Sequence, residues 1–189
     1  MTNYERDVQH HRQDMVTARK VEDAMWNSNL RVKIDINDNG QKTDYSRQDC
    51  TMSGYTSNGD CCVYLVENKG RSCSSTDYDD IMMDTVKHGR LISDAEKEGK
   101  IPLFIATFDK DNVVLIWNLN KYPKDELTKG NKSIANHTHG GDTTNRSIVP
   151  CVFFKTKYAQ RLKFTENKDY TQPNHYRWDD RDYTDRKGL

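Results

Sequence analysis

The sequence has no long hydrophobic run. Nothing in it approaches the ~18–20 consecutive apolar residues of a membrane span, and the opening MTNYERDVQHHRQD lacks the apolar core of a signal peptide. A membrane partner is therefore not expected, and the expected compartment is the cytoplasm. Net charge is also missing: 29 basic residues balance 29 acidic ones, so no global field draws the chain to nucleic acid or lipid. A nucleic-acid enzyme survives that test, because catalytic carboxylates offset basic grooves elsewhere. Cysteine is scarce and odd in number, at positions 50, 61, 62, 73 and 151. None of them forms a C-x₂-C pair, so reduced thiols are expected rather than disulfides or a zinc set. There is no internal repeat.

What remains is a single-domain length of 189 residues with 34% apolar content and a mean hydropathy of −1.01. Core segments should stand out against such a background. Residues 4–26 repeat apolar side chains at three- and four-residue spacing without Gly or Pro, which predicts a helix. Leu30, Val32, Ile34 and Ile36 alternate with charges as in a half-buried strand. DCTMSGY and DCCVYLVEN, separated by TSNG at 56–59, predict a β-hairpin. A second helix is predicted over 78–98, with Asp77 as N-cap and Gly99 as stop. IPLFIATF (101–108) and NVVLIWNL (112–119) read as buried strands, 121–146 as a long polar loop, and SIVPCVFF (147–154) as a last strand with Pro150 at an edge or bulge. Residues 1–164 form the expected domain, and 165–189, poor in aliphatics, a flexible polar tail. The order predicts an α/β layer with a central mixed sheet flanked by helices.

One segment stands out chemically. In CCVYLVENKGRS an apolar strand runs into Glu67, places Lys69 two residues later and bends at Gly70. Residues i and i+2 of a strand share a face, about 7 Å apart. Metal-assisted phosphodiester hydrolysis needs hard oxygen ligands and a cation near the attacking water or the phosphate. Glu67 and Lys69 supply one of each. If the hairpin turns near Asn58, paired residues sum to 116 and Asp49 faces Glu67, with Cβ atoms about 4.5–5.5 Å apart. A one-residue slip would put Cys50 there instead, and Asp44 is the alternative carboxylate. Asp60 lies roughly 23 Å along the strand from Glu67 and fails.

Asp49, the Glu67-Asn68-Lys69 triplet, a following helix with a lysine and two apolar strands together resemble the PD-(D/E)XK nuclease superfamily, as an order of elements over residues 4–164. Gln48 stands where that motif carries proline. The resemblance implies a restriction-endonuclease-like core and a magnesium- or manganese-dependent nuclease acting on DNA, with a homodimer possible. It implies Asp49 and Glu67 as metal ligands, the Asn68 main-chain carbonyl as a further one, Lys69 as the water- or phosphate-facing cation, and Lys87 as the helix residue facing the site.

Competing readings attach to the same residues. Lys87, His88 and Arg90 can be the wet face of a helix that buries Ile81, Met82, Thr85, Val86, Ile92 and Ala95. Glu5 and Glu22 read as exposed. The fold can persist as a non-catalytic binding module, and His137, His139 and Asp142 offer a weaker zinc alternative.

Overall fold

The computed structural model describes residues 3–36, 50–55, 61–135 and 146–172. Within them, a six-stranded mixed sheet is flanked by a helix on each face, and a three-stranded sheet sits beside the second helix. The α/β class, with a central mixed sheet flanked by helices, is the one the sequence predicts.

Helix α1 (Asn3–Asn27) buries Ala18, Val21, Ala24 and Met25. It stops where Asn29 enters the left-handed region at φ 60° and Leu30 N–H returns to the Met25 carbonyl at 2.9 Å. Strands β1 (Val32–Ile36), β2 (Cys50–Tyr55) and β3 (Cys61–Arg71) follow in antiparallel succession. The hairpin register pairs Cys50 with Val66 and Tyr55 with Cys61, which is the sum of 116 on which the Asp49–Glu67 pairing was inferred. Asp49 and Asp44 lie outside the described residues, as do the TSNG turn and the His137, His139 and Asp142 cluster.

After β3 the chain departs from expectation. A strand, β4 (Asp80–Asp84), precedes helix α2 (Thr85–Glu98), so the helix begins seven residues later than predicted. The cause is a two-residue alternation: Ile81 and Met83 are buried against strand β8 (Arg146–Lys155), where they face Phe154 and Val152. The helix cap is accordingly Asp84, not Asp77. Asp84 Oδ1 accepts from Val86 N at 2.6 Å and Lys87 N at 3.4 Å, while Asp77 accepts from Ser74 N within the preceding turn. The inward face of α2 is Leu91, Asp94 and Ala95, and Val86, expected inside, is 53% exposed. At the far end Gly99 takes φ 64° and Lys100 N bonds the Ala95 carbonyl at 2.8 Å, the expected stop.

This β4–α2 crossover returns the chain to β5 (Ile101–Phe108), which pairs parallel to β3, and β6 (Val113–Asn118) then pairs antiparallel to β5. Seven consecutive residues of β5, 102–108, are buried, as a strand covered on both faces requires. The expected polar loop contains strand β7 (Thr128–Ala135), the antiparallel neighbour of β8, and a ninth strand, β9 (Gln160–Lys163), closes the main sheet beside β6. Neither strand was predicted, because both alternate polar residues with few apolar ones. Pro150 sits in β8 opposite Asn131 of β7, one residue beyond the pairing with β4, so among the described residues it has a strand on one side only, as expected of a proline at an edge.

Two hydrophobic clusters divide at the main sheet. α1 covers Val66, Leu103, Ile105 and Ile116 on one face. On the other, Leu65, Phe104, Leu115 and Trp117 meet α2 and the small sheet through Ile81, Leu91, Val152 and Phe154. Phe104 stacks on Trp117 at 5.2 Å and tilts against Phe154 at 5.3 Å, and Trp117 Nε1 donates to the Lys155 carbonyl at 3.0 Å. Residues 165–172, assigned to a flexible tail from sequence, instead dock on α1. Buried Asp23 accepts from Thr165 N at 2.7 Å, Lys168 Nζ at 2.6 Å and the Tyr170 hydroxyl at 2.9 Å. Burial and that carboxylate push the Tyr170 phenol's pKa up. No helix among the described residues is long and apolar enough to cross a membrane.

Two outcomes follow from this packing. Phe104→Ala should lower unfolding free energy by about 3–5 kcal/mol in urea titration, because a fully buried ring in a three-ring stack leaves a cavity. A loss below about 1 kcal/mol would mean the two sheets do not share this core. Glu126 is held by the Lys155 ammonium, the Tyr158 hydroxyl at 2.7 Å and Lys157 at 3.6 Å, which lower its carboxyl pKa to about 2. A depressed folded pKa stabilises above the unfolded carboxyl value and is lost as pH falls through the folded one. Glu126→Gln should therefore reduce the urea midpoint at pH 7 and converge on wild type near pH 2; an equal deficit at both pH values would refute the linkage.

Candidate active site

β3 is interior to the main sheet, between antiparallel β2 and parallel β5, and unbroken in register: Glu67 faces Phe104 and Lys69 faces Ala106. Side chains alternate across it. Val66 belongs to the α1 side and Leu65 to the α2 side, so Glu67 and Lys69 share the α2 side, as their spacing requires. Asn68 faces α1 with Ala18, Val21 and Ile105.

Glu67 is 4% exposed. A carboxylate that deep in a sheet is costly to desolvate unless charge or hydrogen bonds compensate it. Part of the compensation comes from α2: Lys87 Nζ donates to Glu67 Oε1. The Asp84 cap determines where the first turn of α2 begins and so which residue reaches β3. The lysine side chain is itself about half exposed, at 51%, which leaves the ion pair open to solvent on one side.

Lys69 is half-buried, on the strand beyond Glu67. Its position is marked electrostatically by the buried thiol of Cys151 on β8, the register partner of Asp84. Burial pushes the Cys151 thiol pKa up and Asp84 adds to that, while Lys69 and Lys132 of β7 act against it. The ends of β3 and β4, the first turn of α2 and the β7–β8 pair thus converge on one region. His88, expected on the wet face of α2, is half-buried with its ring 5.7 Å from Phe154. Burial lowers its pKa, and nearby Lys129 lowers it further. Arg90 is exposed, as read from sequence. Glu22 lies on α1, across the sheet from Glu67; the side chain of Glu5 lies outside the described residues.

The structure therefore brings Glu67 and Lys87 into contact, places Lys69 on the same face and turns the Asn68 side chain away. Among the described residues, no cluster of three or more His, Cys, Asp or Glu forms that could hold a metal ion. Glu67 is a hard oxygen donor of the kind magnesium takes; Asp49, its expected co-ligand, lies outside the described residues. Sequence reasoning missed Asp84 and the lysines of β7. The alternation of Ile81 and Met83 could have revealed the first. The run from 127 to 141, free of acidic residues, could have revealed the second.

No family model matches the chain, and no curated protein matches it. Among solved structures, it is similar to a Holliday junction resolvase from the archaeal hyperthermophile Archaeoglobus fulgidus. The two share 9% identity with a TM-score of 0.41, over 74% of this chain and 88% of that one.

If Lys87 compensates Glu67, then Lys87→Met should destabilise the fold by about 1–3 kcal/mol, the range for leaving a buried charged group without one partner and discounted for the lysine's exposure. Introducing Lys87→Met into a Glu67→Gln chain should have a much smaller effect. Equal destabilisation in both backgrounds, by urea unfolding, would show that the contact carries no coupling.

Proposed function

We propose that this chain is a metal-dependent nuclease of the PD-(D/E)XK type, acting on DNA. The observation that carries the reading is Glu67: a carboxylate 4% exposed on an interior strand, with Lys87 against it and Lys69 beside it on the same face. Ionisable groups held in that way cluster at functional sites. In this reading Glu67 and Asp49 hold Mg²⁺ or Mn²⁺ together with the Asn68 main-chain carbonyl, and the metal when bound supplies Lewis acidity at the phosphodiester. The chain's own residues do the rest. Lys69 orients the attacking water or neutralises a phosphate oxygen, and Lys87 holds the Glu67 carboxylate in place and adds positive charge facing the substrate. A homodimer would place two such sites on two strands.

Metal-dependent cleavage of labelled single-stranded, duplex and branched DNA tests the assignment. Wild type should cut with Mn²⁺ or Mg²⁺, and Asp49→Ala, Glu67→Ala and Lys69→Ala should each lose at least ~100-fold in rate, the scale of an electrostatic or acid–base contribution, while remaining folded. Retained cleavage in all three variants would sink it.

One observation favours a second reading. The Lys87 contact partly neutralises Glu67 without a metal, as a non-catalytic module would require. Mn²⁺ titration by calorimetry separates the two: binding lost in Glu67→Ala supports the nuclease, and absence of binding in wild type supports the module.

A further inference from the structure

The sequence is neutral overall, but its two halves of strand β7–β8 are not. β7 and β8 contain Lys129, Lys132, Arg146 and Lys155 and no acidic residue. Among the described residues, only Lys155 of these four is committed to a carboxylate, that of Glu126. The pairing distributes the other three over one ribbon: Lys129 and Arg146 on the face of Val152, and Lys132 on the opposite face with Cys151. β4 pairs with β8 only over residues 151–155, whereas β7 continues beside β8 to Arg146. Residues 146–150 with 131–135 are therefore a two-stranded ribbon that extends past Asp84, where β4 ends and α2 begins. Asn131, Lys132, Ser133, Arg146, Ser147 and Ile148 are all exposed along it, Ile148 at 75%. Arg146 is braced on the ribbon rather than on an acid: its Nε donates to Ser133 Oγ at 2.9 Å and its Nη2 to the Ser133 carbonyl at 2.6 Å.

We infer that this ribbon is the arm that grips duplex DNA beside the candidate active site, with Lys129, Lys132 and Arg146 on backbone phosphates. The inference rests on the nuclease reading for its choice of partner. A two-stranded β-ribbon fits the major groove of B-DNA, and exposed cations that pair with no carboxylate among the described residues are the electrostatic footprint of phosphate binding. The location agrees: Lys129 bears on His88 of α2, and Lys132 and Lys69 both bear on Cys151. A strand held by the ribbon thus runs next to Lys69 and Lys87. The competing occupant is a second copy of this chain pairing along the edge strand β7. Such pairing would bring two acid-free ribbons together, and their like charges oppose it.

Anisotropy of a fluorescein-labelled DNA duplex, without divalent metal and over a range of salt, provides the test. K129A/K132A/R146A should bind about tenfold or more weakly near ~0.1 M salt, and its slope of log affinity against log salt should shrink by roughly 2–3. Lys97→Ala, at the far end of α2, should change neither. If the triple variant does not fold by circular dichroism, Lys132→Ala alone should reduce the slope by about 1. Wild-type affinity and slope in the variant overturn the ribbon and leave the nuclease reading standing, as does loss of a monomer–dimer equilibrium with the slope unchanged. Salt-dependent binding lost in the variant, with no cleavage by wild type in Mn²⁺, upholds the ribbon and removes the catalytic reading. No binding by wild type overturns the ribbon and leaves the nuclease reading to the cleavage assay.

Discussion

Everything around the candidate site depends on a carboxylate being kept charged inside a sheet. Glu67 occupies an interior strand where its register partner is Phe104, one of the least exposed residues in the chain. An isolated charge there would be expelled or neutralised. Lys87 makes it tenable, and Lys87 reaches β3 only because Asp84 caps α2 where it does. The small sheet is part of the same construction. By pairing with β8, β4 stops the chain from entering a helix until residue 85, which moves the basic first turn of α2 over the end of β3. A helix starting at 78 would present different side chains at that point.

The second organising feature is the separation of charge. The chain sums to zero, with 29 residues of each sign, but acids and bases are not mixed evenly in space. Several acids are consumed internally: Asp23 anchors the docked C-terminal segment, Asp111 ties Ser74, Ser75 and Arg161 together, and Glu126 secures Lys155 and Tyr158. The β7–β8 ribbon keeps its cations at the surface. Overall neutrality is therefore compatible with a locally basic ribbon beside the buried carboxylate of Glu67.

The parts legible in the sequence are those governed by short-range repetition. The two-residue period and the TSNG signal between the two segments specify which residues oppose one another, so the register summing to 116 follows from local pattern alone, and with it the shared face of Glu67 and Lys69. The buried strands β5 and β6 are plain from their apolar runs, and the Gly99 stop from the only residue type that enters left-handed backbone without strain. The parts that were not legible depend on distant partners. β4 became a strand because β8, about seventy residues on, offered it a ladder and a hydrophobic face, overriding a sequence that also fits a helix. β7 and β9 are too polar to announce themselves and exist through pairing. The segment 165–172 looked loose because aliphatics are sparse there; polar contacts to one buried aspartate hold it. Local periodicity thus determined the chemistry on β3, while long-range pairing decided what stands opposite it, because ladder bonds and buried charges find their partners only once the chain has folded.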